Sequence, residues 1–260
     1  MEKVTSADGT AIAFDRLGAG MPVVIAGGAL CTRAATRPLA EHLAQQFTVF
    51  NYDRRGRGDS GDDAPYAVER EIEDLAALLA AAGGSASVYG HSSAAGLALR
   101  GAAHGLPVAR LVLHDPPYVP MGEGSRRRSR EFAADLRAIL AEGRGGDAVE
   151  LFLTTIGMPS KMVAAMSRDS DIRAIAPTLE YDLEVVGISN GGTIPTDLVG
   201  VVTVPTLVLC GGANTARTID ISRQIAGALP NGRLGVLEGV HHIVAPEVLA
   251  PVLANFFADR

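Results

Sequence analysis

Residues 88–96, VYGHSSAAG, join a run that predicts a β-strand to a run that predicts an α-helix. Their pattern is Gly-x-Ser-x-Gly with the last glycine replaced by alanine, and it predicts a sharp strand-to-helix turn that lifts a serine hydroxyl off the sheet. Gly90 and Ala94 are small, so the strand and the helix can approach each other closely. The turn therefore predicts Ser92 as a nucleophile. The alternative is a glycine-containing turn in which Ser92 caps the helix.

A nucleophilic serine needs a base, and a pair of histidines lies near the end of the chain. His241 and His242 follow a predicted strand at residues 233–237 and precede the last predicted helix. This chain order and loop position suit a base for Ser92, and they favour His242 over His241. A single histidine outside such a setting is usually structural or exposed.

The sequence on both sides of this turn alternates short apolar runs with helical periodicity. Pro65 opens a predicted helix that ends at Gly83–Gly84, and residues 10–16 predict a strand at the edge of the sheet. This alternation predicts an α/β protein with a largely parallel sheet between helices. The buried strands are predicted at 22–26, 47–50, 85–89, 108–113 and 204–209.

The middle of the chain breaks this rhythm, because residues 117–200 contain no convincing buried strand. So long an interruption inside a compact domain indicates a segment with its own structure and a function. The sequence therefore predicts a core formed by residues 1–116 and 201–260, with residues 117–200 as a helical insertion. Helical segments are predicted around 126–142, 147–155, 160–167 and 172–186.

The composition and net charge of the chain exclude some classes of partner. The chain has 260 residues, 47% of them hydrophobic, and a formal net charge of −6. The acidic balance argues against nucleic-acid partners, since phosphate binding needs an excess of lysine and arginine. No metal-binding or phosphate-binding motif is present, so we expect no cofactor and no metal. A small molecule is the expected partner, and the sequence does not indicate an oligomeric state.

The same features predict where the protein resides. The N-terminus lacks a signal peptide, and no run of about 18 apolar residues exists to span a membrane. Cys31 and Cys210 are too few and too far apart for a disulfide framework, and we interpret both as inert thiols. We therefore expect a soluble, cytoplasmic protein that does not bind membranes.

Taken in order, several stretches make the chain resemble the α/β-hydrolase superfamily over nearly its whole length. Beside the serine turn and the histidine region at 237–242, they are VVIAGGA at 23–29, DRRGRGDS at 53–60 and VPTLVL at 204–209. The resemblance implies eight mostly parallel strands with a helical cap inserted after the sixth. In the family's late Gly-x-Gly-His register, His242 takes the histidine position. The 53–60 loop is a structural turn in the family and receives no chemical role.

The resemblance also implies an oxyanion hole made of two backbone N–H groups. One belongs to Ser93, the residue after the nucleophile, and the other to Ala29, which follows Gly27 and Gly28. These glycines stand where the family usually has His-Gly, and Gly28 is expected to border the substrate pocket. The alternative is a plain turn that ends a strand.

The acid of the expected triad departs from the usual family pattern. Family members usually carry aspartate after the seventh strand, where this chain has Asn214. An amide can orient an imidazole but cannot stabilise its charged form. Some relatives place the acid after the sixth strand, where this chain has Asp115, so we favour Ser92, His242 and Asp115 as the triad. The alternative for Asp115 is a turn carboxylate before two prolines.

These residues predict a serine hydrolase that cleaves an ester, lactone or thioester through an acyl-enzyme. Asn214 and the altered His-Gly site keep open a carbon–carbon bond hydrolase or a non-hydrolytic cyclase or lyase. A ligand-binding protein that keeps the fold without turnover is a further alternative.

Two side-chain patterns in the insertion have a structural and a functional interpretation. Met158, Met162 and Met166 recur every four residues and either pack the insertion or, for Met158 and Met162, line an adaptable apolar pocket. Arg126–Arg128 with Arg130 predicts a solvated helix face, with docking of an acidic substrate as the alternative.

Overall fold

A computed structural model describes residues 1–259 and contains an eight-stranded sheet in the order β1-β2-β4-β3-β5-β6-β7-β8. Strand β2 is antiparallel to β1 and β4, and the remaining pairs are parallel. The prediction of a mostly parallel eight-stranded sheet is confirmed. The strands are β1 Glu2–Thr5, β2 Ala11–Leu17, β3 Met21–Ala26, β4 Phe47–Tyr52, β5 Ala86–His91, β6 Val108–His114, β7 Thr206–Gly211 and β8 Gly232–Leu237.

Helices cover both faces of the sheet. Val24 packs on the side of α2, α3 and α10, whereas its neighbours Val23 and Ile25 pack on the side of α1 and α11. Strands buried on both faces explain the continuous apolar runs in the sequence. The helices are α1 Arg33–Leu43, α2 Val68–Ala81, α3 Ser93–Ala103, α4 Glu123–Ala141, α5 Gly145–Thr155, α6 Ser160–Met166, α7 Ser170–Ile175, α8 Leu179–Val186, α9 Thr196–Val201, α10 Ala216–Ala228 and α11 Pro246–Ala258.

Three local predictions are wrong. Residues 10–16 do not form the edge of the sheet, because the exposed strand β1 pairs outside them. Pro65 does not open α2, which begins at Val68 after an extended Ala67. The helix predicted over 172–186 is interrupted at Pro177, where a short 3-10 turn separates α7 from α8.

Helices α4 to α9 lie between β6 and β7, and all but the last residue of α9 fall within the stretch that the sequence assigns to the insertion. Leu136, Val149 and Leu183 contribute to a hydrophobic cluster of their own, which Leu30 from the core also joins. Helix α8 packs on α3, so the insertion covers the helix that begins after Ser92. Among residues 1–259, no helix is long and apolar enough to cross a membrane.

The parallel strands bring the predicted site residues to one edge of the sheet. Ser92 follows β5, Asp115 follows β6, Asn214 follows β7 and His242 follows β8. The carboxyl ends of neighbouring parallel strands share an edge, which is where open α/β sheets bind their ligands. The fold therefore explains how residues 150 positions apart in sequence reach one site.

Candidate active site

Ser92 lies in a strained turn between β5 and α3, with φ 54° and ψ −123°. Its backbone N–H donates to the carbonyl of His114 at 2.8 Å, which fixes the turn to the end of β6. A methyl group at Gly90 would lie 2.3 Å from the carbonyl oxygen of Ala94, so only glycine fits there. Backbone strain of this kind persists where the surrounding structure imposes it, and it is common at functional sites.

Asp115 lies beside both His242 and Asn214. His242 Nδ1 is 3.1 Å from Asp115 Oδ2, and the Asn214 amide nitrogen lies 3.0 Å from each carboxylate oxygen of Asp115. Asp115 is buried and has a positive φ of 47°. Burial opposes ionisation of this carboxyl, but the hydrogen bond from His242 and the nearby histidines and amide hold its pKa below the ordinary value. The site therefore contains an anionic Asp115 next to the imidazole.

Ser92 and His242 line one cavity of about 630 Å³, together with His241, Asp115 and Asn214. Within residues 1–259, no hydrogen bond joins the Ser92 hydroxyl to the His242 ring. Catalytic hydrogen bonds are often long in ligand-free structures and tighten when substrate binds.

Two further histidines, absent from the sequence predictions, support the His242 loop. His91 Nε2 donates to the carbonyl of His242 at 3.0 Å, and the two rings lie 4.5 Å apart. The ring of His114 lies 4.9 Å from that of His91 and is hydrogen-bonded to the Tyr89 hydroxyl. Burial lowers the pKa of His91 well below its ordinary value and that of His114 to about 4. Both rings are therefore neutral at pH 7. The sequence signal that could have identified these two histidines is their position at the ends of predicted strands.

The backbone N–H groups of Ala29 and Ser93 are unpaired within residues 1–259. Ser93 opens α3, and the first N–H groups of a helix have no partner inside it. A methyl group at Gly28 would lie 3.0 Å from Ser92 Cβ, so Gly28 allows the chain before Ala29 to approach the serine closely. This arrangement can stabilise a negative charge that develops beside Ser92.

A buried network of charges lies behind these N–H groups. Arg54 and Arg57 both pair with Asp182 of α8, at 2.7 and 2.8 Å. Asp182 also accepts from the Ser93 hydroxyl at 2.7 Å, and Arg57 donates to the Gly28 carbonyl at 2.7 Å. The sequence assigned the 53–60 loop no chemical role and did not single out Asp182. Arginines in a Gly-rich loop give no sign that they will be buried.

The insertion supplies one wall of the cavity. Met158 and Met162 line it beside Ile156, whereas Met166 packs inside the insertion. A second chamber of about 400 Å³ also reaches Ser92 and contains Arg128 and Arg217.

Cys31 and Cys210 are free thiols, and burial raises the pKa of each. In the described part of the chain, no group of three or more histidine, cysteine, aspartate or glutamate side chains is arranged to hold a metal ion.

Comparisons with known proteins agree with this architecture. A family model described as "Alpha/beta hydrolase family" matches residues 9–252. The chain belongs to the alpha/beta hydrolase family. A solved alpha/beta hydrolase from Sphaerobacter thermophilus is 50% identical, with a TM-score of 0.87 over 99% of this chain and 100% of that chain. The predicted family and fold are confirmed.

Structures with lower identity share the fold of this α/β hydrolase. A thermophilic esterase from Thermogutta terrifontis is 23% identical, with a TM-score of 0.75 over 99% of both chains. A meta-cleavage product hydrolase from Pseudomonas fluorescens is 16% identical, with a TM-score of 0.70 over 99% of this chain and 97% of that chain. A search of curated proteins finds no match. The family assignment indicates a hydrolase.

Proposed function

We propose that this α/β hydrolase is a serine hydrolase that cleaves an ester, lactone or thioester of a small-to-medium organic molecule. The observation that carries the proposal is the 3.1 Å contact between His242 Nδ1 and Asp115 Oδ2 in a cavity that Ser92 also lines. When a carboxylate accepts the Nδ1 proton of a histidine, the Nε2 atom is left free to act as a base.

In the proposed reaction, His242 Nε2 takes the hydroxyl proton of Ser92 while Oγ attacks the acyl carbonyl. The carbonyl oxygen becomes an oxyanion that accepts hydrogen bonds from the N–H groups of Ala29 and Ser93. The bond to the leaving group then breaks, and His242 gives that group its proton. His242 then takes a proton from water, which attacks the acyl-enzyme. His242 passes that proton to Ser92 Oγ as the bond to the acyl group breaks and the acid leaves.

We propose that residues 117–200 act as a cap over a core formed by residues 1–116 and 201–260. Support comes from the cavity wall, where Met158 and Met162 face the same space as Ser92. Thioether side chains are flexible and polarisable, so they adapt to acyl groups of different shape. The cap would then determine which acyl group is accepted.

The second chamber favours a substrate that carries a carboxylate away from the scissile bond. Arg128 and Arg217 line it, and within residues 1–259 neither forms an ion pair. Asp182 also lines it, but Arg54 and Arg57 already neutralise that carboxylate. The chamber therefore presents positive charge to the substrate.

We also propose a cytoplasmic location, where free thiols such as Cys31 and Cys210 stay reduced.

A substrate panel tests the reaction class. It comprises aryl esters, lactones, thioesters and a vinylogous 1,5-diketone, assayed with the wild type and with Ser92→Ala. We expect turnover of at least one acyl substrate and a loss of at least about 1000-fold in kcat in Ser92→Ala. Exclusive cleavage of the diketone would indicate a carbon–carbon bond hydrolase instead, and saturable binding without product would indicate a binding protein.

A further inference from the structure

We infer that Asp182, a residue of the insertion, is a positioning residue that holds both N–H donors of the proposed oxyanion hole in place. The inference rests on the proposed function and adds to it a residue from α8. It is supported by two chains of contacts that start from the two oxygens of the Asp182 carboxylate. One ends at Ser93 and the other at the peptide that joins Gly28 to Ala29.

The first chain of contacts leads to Ser93. Asp182 Oδ1 accepts from the Ser93 hydroxyl at 2.7 Å and from Arg54 Nη1 at 2.7 Å. Arg54 is held in turn by Glu71, which accepts from its Nε and Nη2 at 2.6 and 2.7 Å. Ser93 is therefore tied by its side chain to a fixed anion while its backbone N–H stays free.

The second chain of contacts leads to Ala29. Asp182 Oδ2 accepts from Arg57 Nη2 at 2.8 Å, and Arg57 Nη1 donates to the Gly28 carbonyl at 2.7 Å. That carbonyl and the Ala29 N–H belong to one planar trans peptide, in which they point in opposite directions. The Cys31 N–H also donates to this carbonyl, at the longer distance of 3.2 Å. Because Arg57 helps to fix the direction of the carbonyl, it also helps to fix the direction of the N–H.

The network is buried, so water cannot replace a hydrogen bond that is lost from it. Asp182, Arg54 and Arg57 are 3%, 2% and 1% exposed. Burial opposes ionisation of Asp182, but the Arg57 and Arg54 guanidinium groups hold its pKa below the ordinary value. Loss of the carboxylate would leave two buried guanidinium groups competing for the remaining acceptors, including the Gly28 carbonyl.

Asp182 connects the insertion to the core. Ser93 and Gly28 belong to the core, whereas Asp182 comes from α8 of the insertion. Displacement of α8 would break both chains of contacts together. The oxyanion hole is thus fully formed only while the insertion packs on the core.

The same loop provides a matched control. Arg55 pairs with Asp74 at 2.7 Å, and Asp74 is 1% exposed, as buried as Asp182. Arg55 also pairs with Asp8, and none of these three residues lines the cavities that reach Ser92. Asp74→Asn therefore removes a buried charge of the same kind without touching the site.

The experiment compares Asp182→Asn, Ser93→Ala and Asp74→Asn with the wild type in the ester assay. Removal of one oxyanion donor costs about 100- to 1000-fold in kcat, so we expect Asp182→Asn to lose at least about 100-fold. Ser93→Ala breaks one chain of contacts but keeps the N–H group, and we expect a loss of about 10-fold. We expect KM for an uncharged ester to stay within about threefold in both, because neither residue lines the cavity that Ser92 shares with His242.

Asp74→Asn should lower the melting temperature but keep kcat within about twofold of the wild type. A boronic acid inhibitor, which mimics the tetrahedral intermediate, should bind more weakly to Asp182→Asn and Ser93→Ala but not to Asp74→Asn. If Asp182→Asn does not fold, Ser93→Ala decides the question.

Folded variants at positions 182 or 93 with wild-type kcat would overturn the inference, as would an equal loss in Asp74→Asn. Failure of the proposed function is recognised separately, because the wild type would then hydrolyse no acyl substrate.

Discussion

Asp115 receives hydrogen bonds from residues that follow two different strands. His242 comes after β8 and Asn214 after β7, the position at which the family resemblance implies an acid. The amide orients the carboxylate that the imidazole needs, whereas a second carboxylate there would raise the pKa of Asp115 by repulsion. In the proposed triad the anion therefore follows β6, and Asn214 supports it.

This division of roles predicts unequal effects at the two positions. Asp115→Asn removes the charge that stabilises the imidazolium, so kcat should fall about 10,000-fold, as in the corresponding change of the serine-protease triad. Asn214→Ala leaves the carboxylate in place and should cost about tenfold or less. Steady-state kinetics with one activated ester measures both.

If Asp115→Asn kept wild-type kcat while Asn214→Ala lost activity, the acid assignment would be wrong. The sequence alone proposed both positions, but only the coordinates show that the Asn214 amide donates to the carboxylate of Asp115.

The arginines of the second chamber predict a charge preference. Arg217→Ala and Arg128→Ala should each raise KM for a half-ester of a dicarboxylic acid by about five- to tenfold, with little change in kcat. The matched neutral diester should be unaffected, which makes it the control. Equal KM values for the two substrates in the wild type would contradict the proposed preference.

At the scale of single elements, the turn from β5 into α3 depends on the absence of a side chain at Gly90. The methyl group of Gly90→Ala would overlap the Ala94 carbonyl at 2.3 Å, and backbone atoms cannot move aside cheaply. We expect a loss of about 3 kcal/mol in the free energy of unfolding. Gly227→Ala in α10 is the control, because nothing lies within 4 Å of the added methyl group there.

Gly227→Ala should stabilise the protein by about 0.5–1 kcal/mol, since alanine favours helix. Urea unfolding measures both variants. A Gly90→Ala protein as stable as the wild type would show that the turn is not as tight as described.

The sequence predicted those elements whose signal is local. The turn at Ser92 combines a strand, a glycine and a helix within nine residues, so the sequence pattern was sufficient to predict it. Strand β1 was missed because it is short and exposed, and its place is decided by pairing with β2. The break at Pro177 was missed because apolar spacing continues across it.

The buried network around Asp182 illustrates what sequence reasoning cannot reach. Asp182 and Arg54 are separated by 128 positions, and each looks like an ordinary surface charge. Only the packing of α8 on the core excludes water from both side chains, so that the two charges pair with each other.

At the scale of the whole molecule, the buried histidines predict acid sensitivity. The folded protein protonates His114 only near pH 4, whereas the unfolded chain does so near 6.5. Between these values the unfolded state binds more protons, so the free energy of unfolding falls as pH falls. For His114 the loss reaches at most about 3 kcal/mol, and His91 acts in the same direction.

Thermal unfolding at pH 7.5 and pH 4.5 measures this effect. The melting temperature should fall in the wild type and fall less in His114→Gln, which has no group to protonate. His104→Gln, at an exposed position after α3, should behave like the wild type. An identical response of all three proteins would contradict the assignment.

Mass spectrometry of the acyl-enzyme is the most direct test that residues from separate strands act as one nucleophilic centre. The wild type would be mixed with an activated ester, quenched in acid within milliseconds, digested and analysed. We expect the acyl mass on the peptide that contains Ser92 in the wild type, and no acyl mass on that peptide in Ser92→Ala. Product formation with the acyl group on another residue, or undiminished turnover in Ser92→Ala, would contradict it.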